Sequence, residues 1–265
     1  MYKILRNIIP KELILDTCEY IENISLQNPY IESQDDHGGY VFKRLYHNQL
    51  MQSEKIKNVL FYEPLIQKIK KEIGEFCFIN DVRGLLNSYG SKLHRDGQSF
   101  GFSSDGLKKS SKVIKILIYF YNKSADIPKG NGLDINFIDL KLKNFFINRK
   151  IYMKLNFFYE FYLRSRIMQT LQLGLGDVVL MDNNTWHRAT LNLLRPKDKN
   201  NFEIKKILLD YEIVTDKKFA LEYANHVKKN FKESNNGFGQ NDLNLLDNFY
   251  LNKFKKNGID IINIQ

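Results

Sequence analysis

The sequence predicts a mainly β protein with flanking helices, built on a double-stranded β-helix, or jelly roll. Three observations predict it. Two stretches near the N-terminus have helical spacing of apolar residues. Beyond them, short runs of β-branched and aromatic residues alternate with glycine and asparagine turns. Finally, 265 residues with 43% hydrophobic and 13% aromatic content can bury a full core. We expect one domain that spans residues 1–265.

The first part of the chain, residues 1–80, is predicted to be a helical support. Between Pro10 and Ile24 the apolar residues recur at helical spacing on one side: Leu13, Ile14, Cys18 and Ile21. A second helical stretch, rich in isoleucine, leucine and lysine, runs from Ser53 to Phe76. We expect these helices to brace a sheet.

The predicted jelly-roll core covers residues 82–211. Strands are expected at Val82–Tyr89, Val113–Tyr121, Leu133–Ile138 and Gly176–Met181. A last core strand opens with Lys205-Lys206 and ends at Tyr211. The third of these comes after a clear turn signal, Lys129-Gly130-Asn131-Gly132. Short strands joined in this way suit the cupin-like arrangement of two sheets, which leaves an open pocket between them.

Two segments are harder to assign. An insertion at about residues 141–168 interleaves aromatic residues with cations. It could be a helix packed on the jelly roll, a lid over a pocket, or a membrane-surface element. Residues 216–265 are predicted to form a helical or irregular extension, either a cap or a dimer contact, with a loop from Ser234 to Asp242. A homo-oligomer is compatible with the sequence.

Composition narrows the setting of the protein. Cys18 and Cys77 have neither metal-type spacing nor the pattern of a disulfide framework, which favours a reducing compartment. The N-terminus lacks the apolar run of a signal peptide, and no segment is long and apolar enough to span a membrane. We therefore expect a cytoplasmic protein.

The net charge of +10 favours anionic partners. A basic cluster, Lys108-Lys109-Ser110-Ser111-Lys112, could stand at the rim of the pocket or could be an ordinary solvated loop. We expect an anionic small-molecule substrate. Nucleic acid is not expected as a partner, because a basic surface alone gives only sequence-independent affinity and no nucleic-acid motif is present.

The most informative feature is a pair, His94 and Asp96, with a second histidine, His187, far downstream. On an extended strand residues i and i+2 share a face, so His94 and Asp96 can both turn inward while Arg95 turns away. His187 lies after a tight turn and a buried strand, Gly176–Met181. Two imidazoles and one carboxylate are the ligand set that holds a non-haem Fe(II) and leaves its opposite face open.

Each of these residues also has a simpler interpretation. A buried histidine in a strand is more often a hydrogen-bonded core residue than a ligand, and this applies to His187 taken alone. Asp96 before Gly97 is good turn chemistry. The order and context of the three residues, together with the pattern of the chain downstream of His187, favour the metal site.

With these residues and the chain downstream of them, the sequence resembles the Fe(II)/2-oxoglutarate-dependent dioxygenases, most closely the phytanoyl-CoA dioxygenase-like branch. The resemblance covers roughly Val82 to Tyr211. It includes the His-x-Asp motif, the Gly-Asp strand that ends in a histidine, an asparagine at 192 and a basic residue at the last core strand. It implies that His94, Asp96 and His187 bind iron, that Asn192 lies near the iron-bound end of 2-oxoglutarate, and that O2 is the oxidant.

The basic residue departs from the family pattern. The family has an arginine that pairs with the distal carboxylate of 2-oxoglutarate, whereas this strand opens with Lys205 and Lys206. Lysine neutralises a carboxylate as a point charge but lacks the bidentate fork of arginine. Lys205 is favoured, because it aligns best and shares parity with Ile207 and Leu209. Lys206 and Arg195 remain open alternatives, and Lys205-Lys206 could also be a solvated charge pair.

The resemblance implies hydroxylation of a small metabolite, with 2-oxoglutarate decarboxylated to succinate. A glycine or alanine in place of Asp96 would open a halide site, so its presence favours hydroxylation over halogenation. Desaturation and ring closure share the same oxidant and stay open. The alternatives from other classes are an oxo-acid-independent cupin metalloenzyme and a catalytically silent jelly-roll binding protein.

Overall fold

The computed structural model describes residues 2–27, 32–34, 40–86, 95–96, 104–122, 132–136, 168–189, 206–232 and 248–262. Within these ranges the strands are β1 (Tyr2–Leu5), β2 (Glu32–Gln34), β3 (Tyr40–Leu45), β4 (Cys77–Leu86), β5 (Val113–Asn122), β6 (Leu133–Asn136), β7 (Met168–Leu171), β8 (Val178–Asp182), β9 (His187–Ala189), β10 (Lys206–Val214) and β11 (Asp260–Ile262). The helices are α1 (Lys11–Gln27), α2 (His47–Leu50), α3 (Glu54–Leu60), α4 (Glu63–Ile73), α5 (Ser104–Ser110), α6 (Lys217–Lys232) and α7 (Asn248–Lys256).

The described strands form two sheets. The large sheet has the order β1-β8-β5-β10-β4-β3-β2, and β11 adds to β4 as a parallel neighbour. The small sheet has the order β7-β6-β9. All other pairs are antiparallel. Strands that are consecutive in space but distant in sequence, such as β4, β10 and β5, are the mark of a jelly roll.

The large sheet separates two cores, and β10 shows how. Its alternate residues Ile207, Leu209, Tyr211 and Ile213 join the main apolar cluster on the outer face, with side chains from α1, α3, α4 and α7. Leu208, with opposite parity, packs on the inner face with Leu133 of the small sheet. The inner face is therefore the one that looks into the space between the sheets.

Farther along the inner face, a second apolar cluster lies under α6. Phe219, Ala220 and Tyr223 of that helix cover Val113 of β5 and Val214 of β10. Charged residues of β4, β5 and β10 lie between this cluster and the apolar residues that face the small sheet. The inner face is thus apolar at both ends and charged between them.

The fold class predicted from the sequence is confirmed: the protein is rich in sheet, with flanking helices and a jelly-roll core. The first predicted helix is present as α1. The second predicted stretch divides into α3 and α4, because the chain turns at Phe61–Tyr62 before Pro64 at the start of α4. It ends at Gly74, whose φ of 84° suits glycine.

The N-terminal region contains strands as well as helices. β4 begins at Cys77 and not at Val82, because Cys77 and Ile79 alternate toward α6. Residues before 80 also supply β1, β2 and β3, which extend the large sheet at both edges. None of the helices in the described ranges is long and apolar enough to cross a membrane.

Candidate active site

Two of the predicted metal ligands lie side by side. Nε2 of His187 is 3.5 Å from Oδ2 of Asp96. His187 opens β9, opposite Ile135 of β6, and both side chains are buried. Asp96 has 3₁₀ conformation instead of the strand conformation that its spacing from His94 predicts. The structure therefore brings together a carboxylate and an imidazole that are 91 positions apart in the sequence.

The turn before β9 sets the orientation of the His187 ring. Nδ1 of His187 is 2.9 Å from the carbonyl oxygen of Thr185. Because a carbonyl only accepts hydrogen bonds, Nδ1 carries the proton, and in the neutral ring the lone pair belongs to Nε2, which faces Asp96. Thr185 is itself fixed, since its hydroxyl and its N–H donate to Asp182 at 3.1 and 2.9 Å. Metal-binding histidines are commonly oriented in this way, by a hydrogen bond from the ring N–H that does not face the metal to a backbone carbonyl.

The two groups suit one metal ion. Ligand atoms at about 2 Å from an ion stand about 3 Å apart when their bonds are at right angles. The 3.5 Å between His187 and Asp96 is close to that separation. Within the described part of the chain no group of three or more metal-binding side chains converges. The predicted third ligand, His94, lies outside the described residues.

Asp96 is the first member of a network that we call the charged belt: Asp81, Arg83, Asp96, Lys115, Asp210 and Glu212. The ammonium of Lys115, on β5, is 3.1 Å from Oδ2 of Asp96 and 3.6 Å from Asp210. Burial alone would lower the pKa of Lys115, but the carboxylates of Asp96 and Asp210 outweigh it and hold the pKa above its ordinary value. Lys115 therefore stays charged.

The rest of the charged belt anchors Asp210. Nε of Arg83 donates to Asp210 at 2.6 Å, and the guanidinium is 3.7 Å from Glu212. Glu212 accepts a short hydrogen bond from the hydroxyl of Tyr223 on α6. Burial raises the pKa of Asp81 to about 6, and Arg83 opposes that shift. β4 has a register irregularity beside this belt, between Phe78 and Val82, as strands near functional sites often do.

The apolar part of the inner face that lies near the small sheet holds a second buried lysine. Lys206 opens β10, is 2% exposed, and shares parity with Leu208 and Asp210. Its ammonium is 3.5 Å from the carbonyl oxygen of Gly132 and lies over the Tyr119 ring, 5.5 Å from its centre. Burial lowers the pKa of Lys206 to about 8, although Asp134 acts in the opposite direction.

The surroundings of Lys206 are fixed by β6. A side chain at Gly132 would collide with the carbonyl of Leu171 in β7, so only glycine allows β6 to start so close to its neighbour. Asp134 is engaged by other groups, since Nε of Arg188 donates to it at 2.9 Å and the Thr170 hydroxyl at 2.7 Å. Asp134 therefore gives Lys206 only part of the charge compensation that Lys115 receives.

Several predicted site residues, Asn192, Arg195 and Lys205, lie outside the described residues. The same is true of residues 141–167 of the insertion and of the loop from Ser234 to Asp242. The parity argument for Lys205 relied on Ile207 and Leu209, and both of these face the helices on the outer side of the sheet. Lys206 has the opposite parity and faces the interior.

Sequence reasoning missed the charged belt, although the signal was present. Lys115 interrupts an otherwise apolar run, Val113–Phe120, and Asp210 and Glu212 do the same in β10. A charge at an inward position of a central strand is rare unless it is paired. These positions lie outside any histidine-based ligand motif, so only their burial distinguishes them.

A further contact joins the two ligand segments. The guanidinium of Arg95, which is 7% exposed, lies 5.7 Å from the centre of the Trp186 ring. This is within the range of a cation–π interaction. Arg95 precedes Asp96 and Trp186 precedes His187, so one contact ties together the backbones that carry both groups.

The basic cluster at 108–112 is engaged in ion pairs. Lys109 pairs with Glu222 of α6 and, at 3.7 Å, with Asp105. Lys112 pairs with Asp216 at 2.6 Å. These lysines connect α5 and the start of β5 to the region of α6, which gives them a structural role.

Solved structures with the same fold include three proteins. The epimerase SnoN, described as a non-haem alpha-ketoglutarate-dependent enzyme of nogalamycin biosynthesis, matches with a TM-score of 0.53 and 12% identity over 80% of this chain and 77% of its own. The carbocyclase SnoK of the same biosynthesis matches with 0.54 and 10% identity, over 81% and 80%. HygX from Streptomyces hygroscopicus, with nickel and 2-oxoglutarate bound, matches with 0.51 and 12% identity, over 80% and 82%.

No protein-family model matches the chain, and no curated protein does. The solved structures do not single out the phytanoyl-CoA dioxygenase-like branch, which stays a prediction. At 10–12% identity the likeness concerns the fold. This chain has the same fold as SnoN, SnoK and HygX.

Proposed function

We propose that this protein is a non-haem Fe(II)/2-oxoglutarate-dependent oxygenase. The observation that carries the proposal is the placement of Asp96 and His187 at 3.5 Å from each other on the inner side of the jelly roll. Asp96 and His187 would hold the iron together with His94. The fold, shared with enzymes of this cofactor class, supports the proposal.

Lys206 is the residue we propose for the distal carboxylate of 2-oxoglutarate. It is a buried cation on the inner face, beside the Tyr119 ring, and burial lowers its pKa, so an incoming anion would favour its charged form. Its ammonium is near Gly132, which directly precedes β6, and His187 lies opposite Ile135 of that strand. Three residues of β6 span roughly 10 Å. That distance suits an extended five-carbon diacid that chelates a metal at one end and binds lysine at the other.

The chain's own residues would divide the work between the two ends of the site. Asp96 and His187 hold the metal, and Thr185 keeps the His187 ring in the right tautomer. Lys206 and the Tyr119 ring fix the far end of the cosubstrate, in a wall of apolar side chains that excludes water. Iron with 2-oxoglutarate and O2 supplies the oxidation of a substrate C–H bond as 2-oxoglutarate is decarboxylated to succinate.

Hydroxylation of a small molecule is the reaction we propose. A carboxylate at position 96 occupies the place where a halide would have to bind, which favours hydroxylation over halogenation. An anionic substrate is supported by the net charge of +10. The charged belt does not add to that attraction, since its four carboxylates outnumber its two cations.

An anaerobic titration tests the enzyme class. Fe(II) is added to the metal-free protein with and without 2-oxoglutarate, and the visible metal-to-ligand charge-transfer band of the chelate is recorded. We expect the band in the wild type and its loss in His187→Ala. Iron binding without a band at saturating 2-oxoglutarate would instead indicate an oxo-acid-independent cupin metalloenzyme, and no iron binding would indicate a binding protein.

A further inference from the structure

The same carboxylate oxygen faces two groups. Oδ2 of Asp96 is 3.1 Å from the ammonium of Lys115 and 3.5 Å from Nε2 of His187. A metal ion held between Asp96 and His187 would bring a second positive charge to the Asp96 carboxylate, which the Lys115 ammonium already neutralises. The Lys115 ammonium and the metal ion would therefore compete for one carboxylate.

Lys115 has a second carboxylate within reach. Its ammonium is 3.6 Å from Asp210, whose side chain is 5% exposed. Arg83 holds Asp210 in place at 2.6 Å. If Asp96 turned to a metal, Lys115 would keep a counter-charge without leaving the inner face. A buried ammonium needs such a partner, because an unpaired buried charge is strongly destabilising.

We propose that Lys115 is a positioning residue that holds the Asp96 carboxylate beside His187 in the metal-free protein and yields it to the metal by moving its hydrogen bond to Asp210. The inference rests on the proposed function, since it takes Asp96 and His187 as metal ligands. Lys115 thereby sets the affinity for the metal: it keeps the ligand in place, and it opposes a second cation.

The direction in which Fe(II) affinity changes when Lys115 is replaced distinguishes this role from a purely orienting one. Removal of the Lys115 charge leaves Asp96 and Asp210 with excess negative charge, and like-charge repulsion of the metal disappears. The metal should then bind more tightly. If Lys115 only oriented Asp96, its loss would weaken the metal site, as the loss of other orienting partners does.

The protein offers its own probe for the test. Trp186 is the single tryptophan of the chain and directly precedes His187. Quenching of its fluorescence by Fe(II), added without oxygen, reports metal binding without any turnover. Lys112→Met is a matched control, because Lys112 forms its ion pair with Asp216 at a half-buried position just before β5, away from Asp96 and His187.

We expect Lys115→Met to bind Fe(II) about tenfold more tightly than the wild type, while Lys112→Met binds as the wild type does. The metal-free Lys115→Met protein should melt at a lower temperature, and saturating Fe(II) should close most of that gap. If Lys115→Met does not fold, Lys115→Gln removes the charge and keeps a hydrogen-bond donor, and it carries the same expectation.

Equal or weaker Fe(II) binding by a folded Lys115 variant would overturn the inference and leave the proposed function standing. A wild type that shows neither quenching nor a shift in melting temperature with Fe(II) would overturn the proposed function, and the inference with it. The two failures are therefore distinguishable in one series of titrations.

Discussion

Two buried lysines on one face of the large sheet have opposite environments. Lys115 lies between the carboxylates of Asp96 and Asp210, and its pKa is raised above the ordinary value. Lys206, 2% exposed, lies over the Tyr119 ring, and its pKa is lowered to about 8. Neighbouring carboxylates thus raise the pKa of the first lysine, whereas burial lowers the pKa of the second.

These two environments determine where an added ion can bind. The Lys115 ammonium is already neutralised by two carboxylates, so it does not attract a further anion. In the proposed site it competes with the metal cation for Asp96. An ammonium among aromatic and apolar groups is stabilised by an incoming carboxylate. The metal and the cosubstrate would thus occupy two different parts of the same inner face, the charged belt with Lys115 and the apolar region near the small sheet with Lys206.

The largest expected effect is a difference of sign in stability. Lys206→Met removes a charge whose burial lowers its pKa from 10.5 to about 8, so it should stabilise the metal-free protein at pH 7 by up to about 3 kcal/mol. Lys115→Met leaves two carboxylates without their cation and should destabilise it by about 3 kcal/mol. Urea unfolding of both variants measures this, and a change of the same sign in both would refute the opposite environments of the two lysines.

The next effect concerns two buried histidines. His187→Ala should weaken Fe(II) binding by at least about 100-fold, because a ligand is lost. His47, 3% exposed, accepts a hydrogen bond from the N–H of Val82 at 3.1 Å, and burial lowers its pKa to about 4. His47→Gln should cost about 1–2 kcal/mol of stability and leave Fe(II) binding unchanged. Quenching of Trp186 fluorescence measures Fe(II) binding in both variants. An equal loss of Fe(II) affinity in the two would refute the assignment of His187 as a ligand.

A smaller effect appears with pH. Lys206 is charged below its folded pKa of about 8 and neutral above it. The affinity for 2-oxoglutarate should be constant below that pH and fall above it, by at most about tenfold per pH unit. Burial of the charged Lys206 also destabilises the folded protein. This destabilisation is present in full below pH 8 and is lost as the pH rises toward the unfolded pKa of 10.5.

Lys206→Arg is the control for that titration, since arginine stays charged over the whole range. Calorimetric titration of the metal-loaded proteins from pH 7 to pH 9.5 compares the two. A fall in affinity of the same size in the arginine variant would assign the pH dependence to another group.

The smallest effect concerns the contact between the two ligand segments. Arg95→Met removes the cation from the Trp186 ring and keeps an apolar side chain of similar length. A cation–π contact of this kind contributes about 1 kcal/mol, so Fe(II) affinity should fall only several-fold. A loss as large as that in His187→Ala would mean that Arg95 does more than tie Asp96 to His187.

The sequence was sufficient to predict the fold class, and it singled out Asp96 and His187, which lie 3.5 Å apart; their role as metal ligands stays a prediction. Strand runs with glycine turns specify a jelly roll through local chemistry, and a Gly-Asp turn before a buried strand placed His187. The division of Ser53–Phe76 into two helices and the early start of β4 depend on packing under α6 and on the outer face. Such tertiary effects shift boundaries that propensity alone cannot fix.

The inner-face charges show what a motif search leaves out. Lys115, Asp210 and Arg83 come from three strands that are distant in sequence, and their pairing depends on register. The choice between Lys205 and Lys206 had the same difficulty, because parity identifies a face only when the strand's neighbours are known. With the neighbours known, Lys206 is the lysine that faces the interior.

Titration of 2-oxoglutarate into three proteins shows directly whether Lys206 binds the cosubstrate and Lys115 does not. The wild type, Lys206→Met and Lys115→Met are loaded with Fe(II) without oxygen, and 2-oxoglutarate is titrated by the charge-transfer band. We predict that Lys206→Met binds 2-oxoglutarate about 100-fold more weakly, while Lys115→Met binds it as the wild type does. Undiminished binding in Lys206→Met, or a greater loss in Lys115→Met, would contradict the account.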